Sequence, residues 1–460
     1  MRSPDTIVAR RAPISSLLAK ELWGIASGRA LWTMLLILCP LVGYSFWQAV
    51  ALYGEASAAA KDSPTLASSL SPLDGVLVPT FGALYVVVTL LFPFVAIRTL
   101  GREKETGALR LLLQLPYRIP TLIAAKMAAI FAAWLAALIP AASALAIWAI
   151  VGGHLSVPET ANLILGHLLY GLLVGAIALF AASISDSAAT AAIITLAFTV
   201  GSWVLDFALA GQPGALEWIA RLSLTQTLRS FEQGLLSAGL LLGVAAAICG
   251  FAALAAVWLH SGVPLRTKLI RSVVSIAIVA AVLAAATQIR LSLDLSEDRR
   301  NSFPVADQRA LAELREPLTI TVHLAAEDPR YVDLRRAVLA KLERALPRLT
   351  IRLATAGQSV VGSTSEESYG EIEYSYDGRS DKSRSTSPRE ILPLIYTLAE
   401  RPLPTPLGGD EFPGYPLPAD GQWPLPWFLL ALPLLIVSAW WWSRRAPSIP
   451  TSLLKPGGSR

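Results

Sequence analysis

The sequence is poor in charge. Only 15% of its 460 residues are Asp, Glu, Lys or Arg, whereas a soluble globular chain carries about 25%. Hydrophobic residues make up 54% of the chain. A large share of the charge lies in residues 292–422, and long stretches before that segment have almost none. This uneven distribution predicts a membrane part and a separate soluble part.

Several patterns of catalysis and metal binding are also missing. Cys39 and Cys249 each lie in an apolar run, so they form neither a disulfide framework nor a zinc-ligand spacing. No G-x-x-x-x-G-K-[ST], H-E-x-x-H or G-x-S-x-G occurs, and the four histidines are scattered. We therefore predict no catalytic residue, no metal site and no cofactor bound by this chain. Neither enzymatic activity nor a nucleic-acid partner is expected.

Eight apolar segments are long enough to cross a bilayer, because about 20 apolar residues in a helix span its hydrocarbon core. The last segment is flanked by tryptophans and followed by Arg444 and Arg445, which is an aromatic belt with a basic stop. The eight candidate spans are 31–53, 79–99, 128–151, 163–183, 188–210, 235–259, 272–291 and 425–442.

The distribution of Lys and Arg predicts the orientation. With the N-terminus inside, the inner segments carry eighteen of these residues and the short outer loops carry three. The positive-inside rule then puts both termini in the cytoplasm and residues 292–422 outside it. Before the first span, residues 14–26 place their apolar side chains on one helical stripe. This stripe predicts an amphipathic helix in the inner membrane interface, in contact with lipid.

The outer segment alternates between helical and strand-like patterns, and this order predicts a small α/β module. Eight prolines from Pro402 to Pro426 predict an extended tether back to the membrane. Helices are predicted over 304–315 and 331–346, and strands over 318–324, 349–354 and 369–376.

The predicted fold is a mainly α-helical polytopic membrane protein with about eight transmembrane helices and a small extracytoplasmic α/β module. Its predicted parts are a cytoplasmic tail with the interfacial helix (1–30), a six-span core (31–260), a seventh span (272–291), the α/β module (292–401), a Pro-rich tether (402–424), an eighth span (425–443) and a cytoplasmic tail (444–460).

The loop after the second span carries the most informative pattern. Residues 98–126 read RTLGREKETGALRLLLQLPYRIPTLIAAK, with a charged stretch, a glycine, an apolar ridge and a proline. We predict a short amphipathic helix that presents its charges to a cytoplasmic partner; an ordinary basic inner loop remains the alternative. The candidate residues are Arg102, Glu103, Lys104, Glu105, Gly107, Leu109, Leu112, Leu113 and Pro116.

This segment resembles the corresponding loop of ABC type-2 permeases, which typically reads E-R-E-x-G-T-L-E-x-L-L-x-x-P and then G-K. The sequence departs from that pattern in two places: Thr106 precedes Gly107 instead of following it, and Ala125 replaces the usual glycine. The resemblance implies that the loop contacts a separate ABC ATPase, which binds ATP and magnesium, and that a second permease copy is present. The matching residues are Glu103, Glu105, Gly107, Leu109, Leu112, Leu113, Pro116 and Lys126.

Two further segments resemble a narrower branch of that family. Residues 221–236 are similar to the segment before the sixth span in gliding-motility and copper-maturation permeases, through Phe231, Gly234 and Leu235; a plain amphipathic helix is the alternative. Residues 293–324 resemble the start of the gliding-motility auxiliary domain, which opens D-L-T-E-D-K and continues to E-P-V-T-I-T-V. The matching residues are Asp294, Leu295, Glu297, Asp298, Arg299, Leu311, Leu314, Glu316, Pro317, Thr319, Ile320 and Val322.

Together these resemblances imply the membrane-spanning permease of an ATP-driven ABC exporter in a bacterial inner membrane. The outer region is shorter than is usual in that branch, so its later portion is absent between the last two spans. A complex that transmits force or a signal to an envelope protein through the outer module is the second interpretation.

Overall fold

The computed structural model describes residues 14–208, 223–289, 291–325, 328–346, 348–353, 369–405, 412–418 and 424–445, without the side chains of Asp206 and Phe207. The predicted N-terminal tail before Ile14, parts of the Pro-rich tether and most of the C-terminal tail lie outside the described residues.

Helices dominate these residues, and their bounds follow the apolar runs of the sequence. The first helices are α1 (Ile14–Ala26), α2 (Arg29–Ala59), α3 (Pro64–Ala67), α4 (Val78–Leu90), α5 (Phe92–Glu105), α6 (Ala108–Gln114), α7 (Ile119–Ala137), α8 (Ile139–Ile150) and α9 (Val157–Ile184). They are followed by α10 (Ala188–Ala208), α11 (Leu224–Glu232), α12 (Ala238–Leu259), α13 (Leu265–Ala286), α14 (Val305–Ala312), α15 (Pro329–Leu334), α16 (Ala340–Ala345), α17 (Pro388–Leu398) and α18 (Leu432–Arg445).

Eight helical segments of the described chain are long and apolar enough to cross a membrane, which confirms the predicted fold class. Several boundaries differ from the predicted spans by more than two residues. The third segment already begins at Ile119, because Pro120 is tolerated in the first turn of a helix. The seventh begins at Leu265, since the basic residues that follow it form the first turns of the same helix and can extend toward water. Residues 235–237, expected in the sixth span, form a strand.

Helix α9 lies at the centre of the bundle and packs against α5, α7, α10 and α12. Glycines allow this close packing: a Cβ atom on Gly171 would overlap the ring of Trp134, and one on Gly166 would overlap Phe231. Helix α13, in contrast, packs mainly on α12 and leaves most of its apolar surface exposed, as a lipid-facing helix does.

The last span packs on the first one. The ring of Phe428 lies against Gly43 of α2, where a Cβ atom would overlap it. At the other end of this helix pair, Ser443 Oγ donates to Ala26 O at 3.0 Å. The eighth span therefore brings the chain back to the end of the bundle where α1 lies, which we call the α1 end. The opposite end, where the α/β module lies, is the module end.

The module contains a four-stranded sheet of order β4-β3-β5-β6. Strands β3 (Leu318–Val322) and β4 (Leu349–Leu353) are parallel, with α15 and α16 in the crossover, as the strand–helix–strand pattern predicted. Strands β5 (Ile372–Tyr376) and β6 (Arg379–Ser383) extend the sheet antiparallel, and β6 was not predicted. Buried side chains alternate along β3 and β5, so the sheet has one core face. This core is separate from that of the bundle.

A second, two-stranded sheet joins the module to the bundle. Strands β1 (Leu235–Ser237) and β2 (Ser292–Asp294) pair antiparallel, with Leu235 opposite Asp294. Because β1 leads into α12 and β2 follows α13, the pairing closes the hairpin of the sixth and seventh spans. The first residues of the module are thereby fixed at the end of that hairpin.

The Pro-rich tether has neither helix nor strand over the described residues 412–418, but it is bound along the bundle. Tyr415 N donates to Leu70 O at 3.0 Å, and Tyr53 OH of α2 donates to Tyr415 O at 2.7 Å. Leu417 N donates to Ser57 Oγ at 2.9 Å. This part of the tether is therefore a strap across the module end.

Candidate functional site

Lys126 lies at the centre of a buried charge cluster at the α1 end. Its side chain, on α7, is fully buried. Its Nζ donates to Glu21 Oε1 at 3.0 Å, to Glu103 Oε2 at 2.8 Å and to the Thr99 carbonyl at 2.7 Å. These contacts match the three donors of an ammonium group, so the buried charge is both paired and hydrogen-bonded.

Lys20 completes this cluster, which we call the charge cluster: Lys20, Glu21, Glu103 and Lys126. Lys20 Nζ donates to Glu21 Oε1 at 3.0 Å and also to Glu103. Burial alone lowers the pKa of Lys20, but its bonds to Glu103 and Glu21 outweigh burial, so the pKa lies above its usual value. With two lysines and two glutamates the cluster is neutral. It joins α1, α5 and α7, since each helix contributes at least one member.

The position of Glu103 corrects the prediction that its charge is presented to a cytoplasmic partner. Helix α5 continues to Glu105, and this places Glu103 one turn after Thr99, on the side that faces Lys126. Glu103 is buried, while Arg102 and Glu105 on either side of it are exposed. The residue therefore holds the bundle end together instead of offering a charge to solvent.

Lys104 is also engaged within the chain. Its Nζ donates to the carbonyls of Ser183 and Ser185, both at 2.8 Å. These carbonyls lie at the C-terminal end of α9, where unpaired carbonyls and the helix dipole favour a cation. Lys104 thus attaches the loop to the link between α9 and α10.

Helix α6 carries the predicted apolar ridge. Gly107 has φ +73°, a left-handed conformation that allows the tight turn from α5 into α6. Leu109 is buried, and Leu112 and Leu113 are half-buried, so the ridge faces the bundle. Pro116 is exposed after the helix ends.

The outward side of α6 was missed by the sequence analysis. Leu111 is 67% exposed and Leu115 46% exposed. The sequence did contain one sign of this exposed surface. Its leucine-rich run includes Leu111 and Leu115, which are not part of the predicted ridge. Together with exposed Glu105, these residues form what we call the α6 outer surface: Glu105, Leu111 and Leu115.

The motif at the start of the module folds into a compact loop around Asp294. Its Oδ1 accepts a hydrogen bond from Ser296 N at 3.1 Å, and its Oδ2 accepts from Asn301 N at 3.1 Å and Ser302 Oγ at 2.6 Å. Leu295 N donates to Gly234 O at 2.9 Å, which continues the β1–β2 pairing. Asp294 therefore fixes the loop that carries the other motif residues.

That loop holds the module against the bundle. The Glu297 carboxylate lies 2.9 Å from His154 Nε2, and Glu297 N donates to Glu159 Oε1 of α9 at 2.6 Å. Arg300 NH1 lies 2.5 Å from Asp74 Oδ1. We call these five residues the module junction: Asp74, His154, Glu159, Glu297 and Arg300.

The remaining motif residues are divided between the junction and the module. Asp298 accepts from Arg300 at 2.9 Å and so orients it, and Arg299 follows with φ +51°. Glu316 and Pro317 are exposed just before β3, in the module itself. The structure thus brings together Asp294 to Arg299 but not Glu316 and Pro317.

The segment before the sixth span has a defined place in the fold. Helix α11 corresponds to the expected approach helix, and Phe231 is buried against Gly166 of α9. Gly234 has φ +80° at the turn into β1. The segment therefore supports the module end of the bundle.

The fold and these two sites define a multi-pass helical membrane protein with a small α/β module. Residues 56–228 match the family described as ABC-2 family transporter protein. The match runs from the end of α2 into α11, includes the loop between α5 and α6, and supports an ABC-2 type permease. The module lies outside the matched residues. None of the curated proteins and none of the solved structures matches the chain.

Proposed function

We propose that the chain is the membrane-spanning permease subunit of an ATP-driven ABC exporter, energised by a separate ATPase that binds the α6 outer surface. The observation that carries this proposal is the attachment of the α5–α6 loop. One side of the loop is fixed to the bundle through Glu103 and Lys104, while Leu111 and Leu115 remain exposed. The family match over residues 56–228 supports the transporter class.

The attachments give a physical route for coupling. A force on α6 acts on α5 through the short turn at Gly107, and α5 is bound to α1 and α7 by the charge cluster. Lys104 also connects α5 to the C-terminal end of α9. An ATPase can shift these helices only if its contacts differ between two conformations of the permease. The α6 outer surface is where such contacts would form.

The orientation follows from charge. We propose that the α1 end and both termini face the cytoplasm of a bacterium, where ATP and magnesium bind to the ATPase and not to this chain. The module then lies outside the inner membrane. The resemblance to type-2 permeases further implies a second permease copy in the complex.

The module is proposed to be a shortened auxiliary domain of the gliding-motility type, fused to the permease. Support comes from the motif Asp294 to Arg299, which forms the loop at the module junction. Residues 221–236, which also resemble the gliding-motility branch, lie next to this loop. Leu295 N of the loop donates to Gly234 O.

The module junction also favours a second candidate, in which the ATPase drives the module to act on an envelope protein. The junction ties the module to the segment before α4 through Asp74, and the tether binds α2 through Tyr53. Movement of these spans would therefore reach the module. Transport predicts that a substrate changes the rate of ATP hydrolysis, whereas the mechanical candidate predicts that an envelope protein does.

The test is a double variant of the α6 outer surface, Glu105→Lys with Leu111→Glu. Both side chains are exposed, so the fold should be retained. An ATPase surface that binds them should lose about a thousandfold in affinity, because like charges and a buried carboxylate cost several kcal/mol at an interface. The measurement is the amount of P-loop ATPase and ATP hydrolysis that co-purify with each variant from its native cells.

The matched control is Leu66→Glu, on α3 at the module end, where the leucine is 52% exposed. This variant also replaces an exposed leucine with glutamate, and the ATPase should co-purify with it at the wild-type level. If the double variant retains the ATPase at the wild-type level with normal ATP hydrolysis, the α6 outer surface is not the coupling surface.

A further inference from the structure

A cavity of about 370 Å³ opens at the α1 end, between α1, α2 and α5. Leu31 and Val95 form part of an apolar wall. Arg98 and Arg102 lie on the α5 side, and the charge cluster closes one end through Lys20 and Glu103. The cavity therefore combines an apolar wall with a basic one.

The charges around this cavity do not cancel. Glu21 and Glu103 are each bound by two lysines, so the charge cluster is neutral by itself. Arg98 and Arg102 are one turn apart on α5 and so lie on the same side of the helix. Within the described part of the chain, no hydrogen bond or ion pair is formed by either guanidinium group. Two positive charges are left at the cavity.

The residues around the cavity are of the kinds found at a membrane interface. Helix α1 exposes Ile14 and Leu22 beside its polar residues, as a helix lying on a membrane does. Trp23 lines the cavity, and Trp32 Nε1 donates to Ala26 O at 2.6 Å. Tryptophans of this kind are typical of the headgroup region of a bilayer. Phosphate groups of lipids lie at the same depth.

We propose that this cavity binds the phosphate of an anionic phospholipid through Arg98 and Arg102, with an acyl chain along Leu31 and Val95. Guanidinium groups suit phosphate because their planar donors can bind two oxygens at once. Basic pockets between membrane helices are known to take anionic headgroups. The bound lipid would link α5 to α1 beside Lys20, whose side chain is 38% exposed. The proposal depends on the membrane fold and not on an ATPase.

The test uses the purified full-length chain in detergent, with dioleoylphosphatidylglycerol or dioleoylphosphatidylcholine added. Native mass spectrometry measures the affinity of each lipid. The wild type should bind phosphatidylglycerol more tightly, and Arg98→Gln with Arg102→Gln should weaken that binding about 30-fold, since each basic residue near a lipid surface contributes roughly a factor of five. Arg98→Lys with Arg102→Lys should retain most of the affinity because the charge is kept.

The matched control is Arg110→Gln with Arg118→Gln. These two arginines are exposed at the same end but do not line the cavity, so their loss should leave the lipid affinity unchanged. Equal affinity of the wild type for both lipids, or wild-type affinity in the Arg98 and Arg102 glutamine variant, would overturn the proposal.

A displacement experiment distinguishes a site for a lipid from a site for a free phosphate anion. Inorganic phosphate and glycerol 3-phosphate are added to the lipid-bound wild type. Displacement of phosphatidylglycerol only at concentrations far above those of the lipid supports a lipid site, whereas displacement at equal concentration shows a site for a free phosphate and overturns it. If the glutamine variant fails to fold, the wild type is measured at different salt concentrations instead. Its affinity for phosphatidylglycerol should fall steeply between 0.1 and 1 M salt. An affinity that does not change with salt contradicts the proposal. No ATPase is present, so a failure here leaves the α6 result unaffected.

Discussion

Lys126 Nζ lies 2.8 Å from Glu103 Oε2, with the lysine fully buried and the glutamate nearly so. The two residues belong to the second and third spans, and Glu21 of α1 binds the same ammonium group at 3.0 Å. A buried ion pair is tolerated only when every charge has partners. The pair therefore fixes the relative positions of three helices at the α1 end.

The first prediction compares two glutamates that are two residues apart. Glu103→Lys places a third lysine beside Lys20 and Lys126 and leaves only Glu21 to balance them. We expect a loss of about 3–5 kcal/mol of stability, the usual effect of an unpaired buried charge. Glu105→Lys changes an exposed side chain and should alter stability by less than about 1 kcal/mol.

The measurement for this pair is the thermal unfolding of detergent-purified protein, together with the amount of permease in the membrane. Because both variants make the same change of charge, only burial distinguishes them. Equal stability of the two variants would show that Glu103 is not held in the charge cluster.

The burial of Glu103 also shows where sequence reasoning ends. Glu103 and Glu105 look alike in the sequence, and a partner that distinguishes them lies far away along the chain: Lys20 is 83 residues from Glu103. The spans were predictable because length and apolar composition decide them locally. Charge pairing depends on which helices pack together, and no local pattern contains that information.

The module illustrates the same limit. Strand β3 was predicted from the alternation of Leu318, Ile320 and Val322, which are indeed its buried residues. Strands β1 and β2 have only three residues each, too few to show a period. The prolines predicted an extended tether, but only the fold shows that Tyr415 binds along α2.

The second prediction concerns Glu232, at the end of α11. Burial raises the pKa of its carboxyl group to about 7, from an ordinary value of 4.5, although Arg229 on the same helix opposes this. His167 Nε2 lies 3.8 Å from the carboxylate and is another titratable group that faces it. A raised carboxyl pKa means that the folded state holds its proton more tightly than the unfolded state.

The sign of the pH effect follows from this difference. The contribution of Glu232 to stability is complete below pH 4.5 and is lost as the pH rises to about 7. Compared with Glu232→Gln, the wild type should lose roughly 3 kcal/mol across that window. Unfolding midpoints from pH 5 to 8 measure it, with exposed Glu313→Gln as the control. Parallel pH curves for wild type and Glu232→Gln would contradict the prediction.

The third prediction places the two ends of the bundle on opposite sides of the membrane. Ser380 in β6 and Gln114 in α6 are both exposed. After replacement of Cys39 and Cys249 by alanine, Ser380→Cys should react with a membrane-impermeant maleimide on intact spheroplasts. Gln114→Cys should react only after the membrane is permeabilised. Labelling of Gln114→Cys from outside would reverse the orientation inferred from the basic residues.

The fourth prediction tests the module junction through the pair of Arg300 and Asp74. Their side chains are 2.5 Å apart, and Arg300 also binds Asp298 at 2.9 Å. Arg300→Asp brings three acids together and should expose the loop 295–302 to proteases. Asp74→Arg puts a second cation beside Arg300 and should have a similar effect. The double variant restores opposite charges, and Arg300 is only 19% exposed although Asp74 is 58% exposed, so we expect a coupling energy of about 1 kcal/mol in favour of the pair.

The control for this cycle is Arg379 and Glu400, a pair within the module at 2.7 Å whose side chains are both largely exposed. Exchanging these two charges should give a coupling energy near zero, because water screens exposed pairs. The measurements are the rate of proteolysis in the junction loop and the unfolding midpoint of each variant. If the module is docked through this contact, the coupling energy of Arg300 and Asp74 should be clearly larger than that of Arg379 and Glu400. Equal couplings would mean that the module is not held on the bundle through this contact, and the route by which the spans could move the module would then lack its main ion pair.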